Sequence, residues 1–196
     1  MGGNKFLIID TSGFDPIRYS ITEGYMTMSD LKSFSVQANL QLCITNSVLP
    51  EFSYSETPNL FTFRPVQSLS GTASSDTSDQ PVKNYWLTSN GTLTIDKSLG
   101  KLEFKVFNTD AQTSQMNGQG LSNCLSKLSF QDISNISLAV ELLNSRNNAA
   151  ILVNDRYLRQ QAKFYQIPVY GACSFLAGMV LSSIYPYQKA TQLYYK

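Results

Sequence analysis

The sequence predicts a mainly β protein: an antiparallel sandwich or jelly-roll-like barrel over residues 1–146, followed over residues 147–196 by a helical, charge-poor C-terminal segment that packs on that domain or on partners. Three observations predict it. Apolar and polar residues alternate from Phe34 to Thr45. Short β-prone runs separated by turns fill residues 85–107. From Phe164 to Gln188 the chain runs 25 residues without a charge, bracketed by Lys163 and Lys189.

In order along the chain, Phe6–Ile9 is a continuous apolar run ending in Asp10-Thr11-Ser12-Gly13, which reads as a buried strand and its turn. Phe34, Val36, Ala38, Leu40, Leu42 and Ile44 then alternate with polar neighbours, as the period of two of a half-buried strand requires. Pro50 closes that segment, and Asn59–Arg64 reads as another short strand. Residues 67–80 are Ser, Thr, Asp and Gly with little to anchor them, so they read as an exposed loop. Tyr85–Thr88, Thr92–Ile95 and Leu102–Phe107 form a meander, with Asn90-Gly91 supplying the positive φ that a tight hairpin needs. A second polar loop covers residues 110–123. Ile133–Leu142 reads as a strand, Asn148–Gln166 as a helix ended by Pro168, and Val169–Ile184 as a helix stopped by Pro186.

Composition narrows the chemistry. Only 15% of the 196 residues are charged against 42% hydrophobic, which suits surfaces covered by neighbours. Residues 1–82 carry four basic and eight acidic side chains, whereas residues 141–196 carry six basic and two acidic. Histidine is absent, which removes the commonest general base and transition-metal ligand together. Cys43, Cys124 and Cys173 are odd in number and too far apart for a metal finger, so they read as isolated thiols in a reducing compartment. The apolar run after Lys5 is too short for a signal peptide. The expected location is therefore the virion if the protein is viral and otherwise the cytoplasm.

Asp10-Thr11-Ser12-Gly13 is the place closest to known chemistry. It resembles the metal-ion-dependent adhesion site of von Willebrand A domains, with Asp10 and Ser12 matching and Phe14 standing where a last Ser is required. It is similar as well to the Asp-x-x-Gly switch of GTPases, without the phosphate-binding loop that switch accompanies, and to the Asp-Thr-Gly of aspartic proteases with Ser12 inserted. The bland alternative is that Asp10 and Ser12 cap a turn through side-chain to backbone hydrogen bonds. No residue is assigned to catalysis, to a cofactor or to a metal. Arg156, Arg159 and Lys163, spaced at three and four, are the expected contacts for a partner or polyanion.

The charge-free run can be covered by a core, a subunit or lipid. Its 16 residues Val169–Ile184 make roughly 24 Å of helix against about 30 Å of hydrocarbon, which favours protein over bilayer. Val169, Phe175, Leu176, Val180, Leu181 and Ile184 are the expected interface, with membrane contact through residues 164–188 as the alternative.

These features lead to an expected function as a non-enzymatic structural subunit of a large assembly, such as a minor capsid protein of a virus or phage particle. The expected partners are other subunits in a homo- or hetero-oligomer, with nucleic acid less strongly indicated. The alternative is a binding or adhesion module using loops 67–82 and 110–123. A carboxylate-based enzyme is a third class. Its mark would be a pair of carboxylates in one cleft, such as Asp10 with Asp15, carrying a shifted pKa.

Overall fold

The computed structural model describes residues 5–48, 51, 84–87, 92–97, 100–118 and 128–194. Strands are β1 Lys5–Ile9, β2 Leu40–Thr45, β3 Asn84–Leu87, β4 Thr92–Lys97, β5 Gly100–Phe107, β6 Asn148–Leu152 and β7 Val169–Tyr170. Helices are α1 Thr11–Thr22, α2 Met28–Gln37, α3 Asp110–Gly118, α4 Phe130–Asn144, α5 Arg156–Phe164, α6 Ala172–Leu181 and α7 Tyr187–Tyr194.

One sheet runs in the order β3-β4-β5-β2-β1-β6-β7. Its five strands β5, β2, β1, β6 and β7 are parallel, with Lys5 opposite both Leu40 and Asn148. β3 and β4 extend one edge as an antiparallel meander on β5. Helices cover both faces. Leu7, Ile9, Leu42 and Ile44 face a core completed by α1, α2 and α6, while Phe6, Ile8, Cys43 and Ile151 face one completed by α4 and α5. This is a three-layer α/β arrangement, and it overturns the antiparallel sandwich or jelly-roll-like barrel that the sequence predicts.

The misreading has a local cause. The alternation from Phe34 to Thr45 spans two elements: α2 ends at Gln37, Asn39 turns at φ 52°, and β2 starts at Leu40. On the helix, Phe34 is buried and Val36 is 71% exposed, so they do not share a face. A capping box marks the true start of α2, with Thr27 accepting from the Asp30 N–H and Asp30 from the Thr27 N–H. The same device, Ser129 with Asp132, starts α4 where the sequence predicts a strand. Leu42, Cys43, Ile44 and Thr45 are all buried, because a parallel strand covered by helices on both faces has no wet side.

Other expectations divide. The Phe6–Ile9 strand and the hairpin pairing of residues 84–87 with 93–96 are present. The expected helix Asn148–Gln166 is β6 followed by α5, and Val169–Ile184 is β7 followed by α6. The boundary expected after residue 146 falls just before β6, which pairs with β1. α3 occupies residues 110–118 of the second expected loop. The Asn59–Arg64 strand, the loop at 67–82 and Cys124 lie outside the described residues.

α1 enters against the end of β6 with almost no clearance. A Cβ on Gly13 would stand 2.4 Å from the Leu152 carbonyl oxygen, so only glycine permits this approach. Among the described residues, no helix is long and apolar enough to cross a membrane.

Candidate active site

In an open parallel sheet, the crevice forms outside the carboxyl ends of two neighbouring strands whose following helices go to opposite faces. Here those strands are β1 and β6, with α1 on one face and α5 on the other. β1 delivers Asp10 to that crevice, and β6 delivers Asn154 and Asp155.

Asp10 is the N-cap of α1, only 4% exposed, and both of its carboxylate oxygens are engaged. Oδ2 accepts from the Ser12 N–H at 3.0 Å and from the Ser12 hydroxyl. Oδ1 accepts from Asn135 Nδ2 at 3.0 Å, reaching across to α4. The Ser12 oxygen in turn accepts the N–H groups of Asn154 at 3.1 Å and Asp155 at 3.0 Å. One hydroxyl therefore joins the ends of β1 and β6, with its proton on Asp10 and its lone pairs on the opposite turn. The expected capping role of Asp10 and Ser12 is present, and it is embedded in a larger network.

Two further carboxylates act on Asp10. Burial pushes its pKa up from 3.8 to about 6 against the pull of the Ser12 hydrogen bonds, and the charges of Asp132 and Glu51 add to the rise. Glu51 is raised as well, first by burial and then by Asp132 and Asp15, while the Thr11 hydroxyl bound to Oε2 at 2.5 Å opposes the shift. Asp132 is half-buried and accepts the Ser129 N–H at 2.9 Å as part of the α4 cap. Asp155 caps α5 by accepting the Leu158 N–H at 2.8 Å. Asp15, expected as the partner of Asp10, instead pairs with Arg18 one helical turn on.

The donor set is all oxygen, which suits a hard divalent cation such as Mg²⁺ or Mn²⁺. Among the described residues, no group of three or more His, Cys, Asp or Glu side chains could by itself hold a metal ion.

The expected basic contacts lie on α5, the helix that follows β6. Arg156 and Lys163 are exposed on α5, and Arg159 is half-buried. Arg159 Nη1 would lie 3.7 Å from a Cβ on Gly171, which sets it beside the start of α6 and Asn154. None of the three forms an ion pair with a carboxylate among the described residues. The expected interface residues lie elsewhere. Phe175 is buried edge-on to Phe34, with ring centroids 5.0 Å apart. Leu176, Val180 and Ile184 pack half-buried on the same core, and Val169 packs on the opposite one. Leu181 alone of the six is largely open, at 86% exposure.

Glu51, Asp132, Asn135 and Asp155 are the site residues that the sequence reading missed. A readable signal existed for two of them: the Ser-x-x-Asp cap at Ser129–Asp132, and an Asn-Asp pair directly after an apolar run. Comparisons with protein-family models, curated proteins and solved structures give no match. They lend no support to the capsid expectation, whose architectural basis the parallel sheet has removed.

Proposed function

We propose that this protein is a divalent-cation-assisted hydrolase of nucleic-acid phosphodiesters centred on Asp10. The observation that carries the reading is a buried Asp10, its pKa raised chiefly by that burial and further by the charges of Asp132 and Glu51, at the crevice where parallel-sheet proteins bind ligands. Neighbouring negative charges favour a bound countercharge. The basic residues of α5, with Arg159 beside the start of α6, favour a polyanionic substrate.

In this mechanism Ser12 and Asn135 fix the Asp10 carboxylate in one orientation. Asp10 and its acidic neighbours are the residues that would hold a divalent cation. A divalent cation, if bound there, would supply charge neutralisation on the phosphoryl oxygens and a more acidic water. Arg156, Arg159 and Lys163 hold phosphates to either side of the one being cleaved, contributing affinity without sequence preference. Glu51, whose carboxyl burial holds above its ordinary value, is the candidate to take up a proton from the attacking water.

The test is cleavage of end-labelled RNA and DNA, single- and double-stranded, with Mg²⁺, Mn²⁺ or EDTA. Cleavage in Mn²⁺ or Mg²⁺ that is lost in EDTA and in Asp10→Asn is expected. A folded wild-type chain that cleaves none of the four substrates overturns the reading.

A second reading, a subunit of a homo- or hetero-oligomer, is supported by the open apolar side chains Leu181, Phe164 and Tyr187 on the C-terminal helices. Light scattering on the full chain tests the homo-oligomer, which a stable monomer would exclude.

A further inference from the structure

Leu158 and Ala162 fix α5 to the core, both fully buried. At about 100° per residue, the positions facing away from them are 156, 157, 160, 163 and 164. Along one edge of that solvent face stand Arg156 and Lys163, seven residues and about 10.5 Å apart, with half-buried Arg159 beside them. Along the other edge stand Tyr157 and Phe164 at the same spacing, both exposed. The helix therefore carries a track of cations next to a track of rings. Rings are concentrated here: of the eight large hydrophobic side chains exposed among the described residues, Tyr157, Phe164 and Tyr170 lie within residues 157–170.

These rings are held in place although they are open. Phe164 is 72% exposed and packs edge-to-face on Tyr165, with centroids 5.4 Å apart. Tyr170 sits on the edge strand β7, where its carbonyl accepts the Val153 N–H at 2.8 Å. Arg159 Nη1 lies beside the next residue, Gly171. From Arg156 to Lys196 the sequence has five cations and no acidic residue, so this segment suits phosphates throughout. Cations alone would hold any polyanion, a duplex included. Rings beside them add a selection, because unpaired bases offer flat π-faces that a duplex hides in its stack. A lipid surface would need a broad apolar face, and that face of α5 is already occupied by the core.

We propose that the solvent face of α5, with Tyr170 beside it, is a platform that selects single-stranded nucleic acid. This rests on the reading of a nucleic-acid substrate given above and names its strand state. Arg156, Arg159 and Lys163 hold the phosphates, while Tyr157 and Phe164 stack on bases of the same strand. Such stacking is tolerant of sequence, so the selection is for unpaired strands and not for particular bases. Asp155, the N-cap of α5, is tied to Ser12 by its own N–H, so the two tracks start at the crevice and run away from it along the helix.

The test is fluorescence anisotropy on the full chain in EDTA, with a fluorescein-labelled oligonucleotide either alone or annealed to its complement. The wild type is expected to bind the single strand about tenfold or more tightly than the duplex. The double variant Tyr157→Ala with Phe164→Ala should lose about tenfold on the single strand and stay within about twofold on the duplex. Phe164→Trp should keep the preference, and Arg156→Gln should weaken both forms alike. The replaced side chains are exposed, so melting temperatures should be close to wild type. Equal affinity of the wild type for the two forms, or no binding of either, overturns the proposal. So does a double variant that loses as much on the duplex as on the single strand. Binding to phosphatidylserine vesicles that is lost in the double variant, with no preference between the oligonucleotides, would assign the rings to a lipid surface and overturn it. A wild-type oligomer that Phe164→Ala dissociates would assign them to a contact between copies, with the same consequence. Strand-selective binding without cleavage in Mg²⁺ or Mn²⁺ would sink the hydrolase reading and leave the platform, whereas cleavage indifferent to the rings would do the reverse.

Discussion

The Ser12 hydroxyl oxygen accepts the backbone N–H of Asp155 at 3.0 Å, across 143 positions of sequence. That contact makes the end of β1 and the end of β6 one rigid unit, so Asp10 and Asp155 do not move independently.

Ser12→Ala should therefore disturb more than one hydrogen bond. It strips Asp10 of a donor and leaves the N–H groups of Asn154 and Asp155 without their acceptor. A destabilisation of about 1–3 kcal/mol is expected from urea unfolding. Ser12→Thr, which keeps the hydroxyl, should recover most of both stability and cleavage. Equal damage from the two variants would mean that the volume at this position matters and the hydroxyl does not.

The raised pKa of Asp10 carries a stability cost with a definite sign. The folded state holds this proton more tightly than the unfolded chain, so the favourable contribution is complete below about pH 4 and is lost as pH rises through about 6. Asp10→Asn, uncharged throughout, should be more stable than the wild type at pH 7.5 by about 1–3 kcal/mol, with the gap closing at pH 4.5. Chemical denaturation at the two pH values measures it. A variant less stable than the wild type at pH 7.5 would show that the carboxylate is a net stabiliser.

Gly13→Ala should cost about 3 kcal/mol, because the added Cβ meets the Leu152 backbone and not a side chain that could turn aside. Thermal melting of the variant checks this. An unchanged midpoint would require α1 to approach β6 less closely.

Neutralising Arg156, Arg159 and Lys163 together to glutamine should raise KM for a labelled oligonucleotide about tenfold and leave kcat within about twofold. The slope of affinity against salt should fall by two to three charges' worth of counterion release, on the order of one unit per cation. An unaltered slope would remove α5 from the binding path.

A pair of substitutions separates helix from strand at residues 34–37. Phe34→Asp puts a charge in the core beside Phe175 and should prevent soluble folding, a cost of several kcal/mol. Val36→Asp, 71% exposed, should stay within about 0.5 kcal/mol of wild type. On a strand the two would behave alike.

How far the fold was legible depended on how local its determinants were. Phe6–Ile9 announced β1 because four apolar residues followed by Asp and Gly need no distant context. Asn90-Gly91 announced the hairpin for the same reason. The Phe34–Thr45 alternation misled because a helix end, a left-handed Asn39 and a doubly buried strand together imitate a period of two. The capping boxes at Thr27 and Ser129 were the stronger signals there. For the site, Asp10 stood out at once, but its partners are remote: Asn135 lies 125 residues away, and Glu51 is tied in through Thr11 across 40. Only the parallel order of the sheet brings them to one crevice, and that order is not written in any short segment.

The central place of β1 bears on how the chain is made. Its left neighbour β2 follows within about 35 residues, but its right neighbour β6 comes about 140 residues later. At typical rates of synthesis, about 5–20 residues per second, Phe6–Ile9 waits on the order of 10–30 s for the strand that shields its other side. During that interval one of the most apolar stretches of the protein offers an unpaired strand edge at the ribosome surface. Demand for a chaperone should therefore be concentrated before residue 150 is translated, and ease sharply once β6 has emerged.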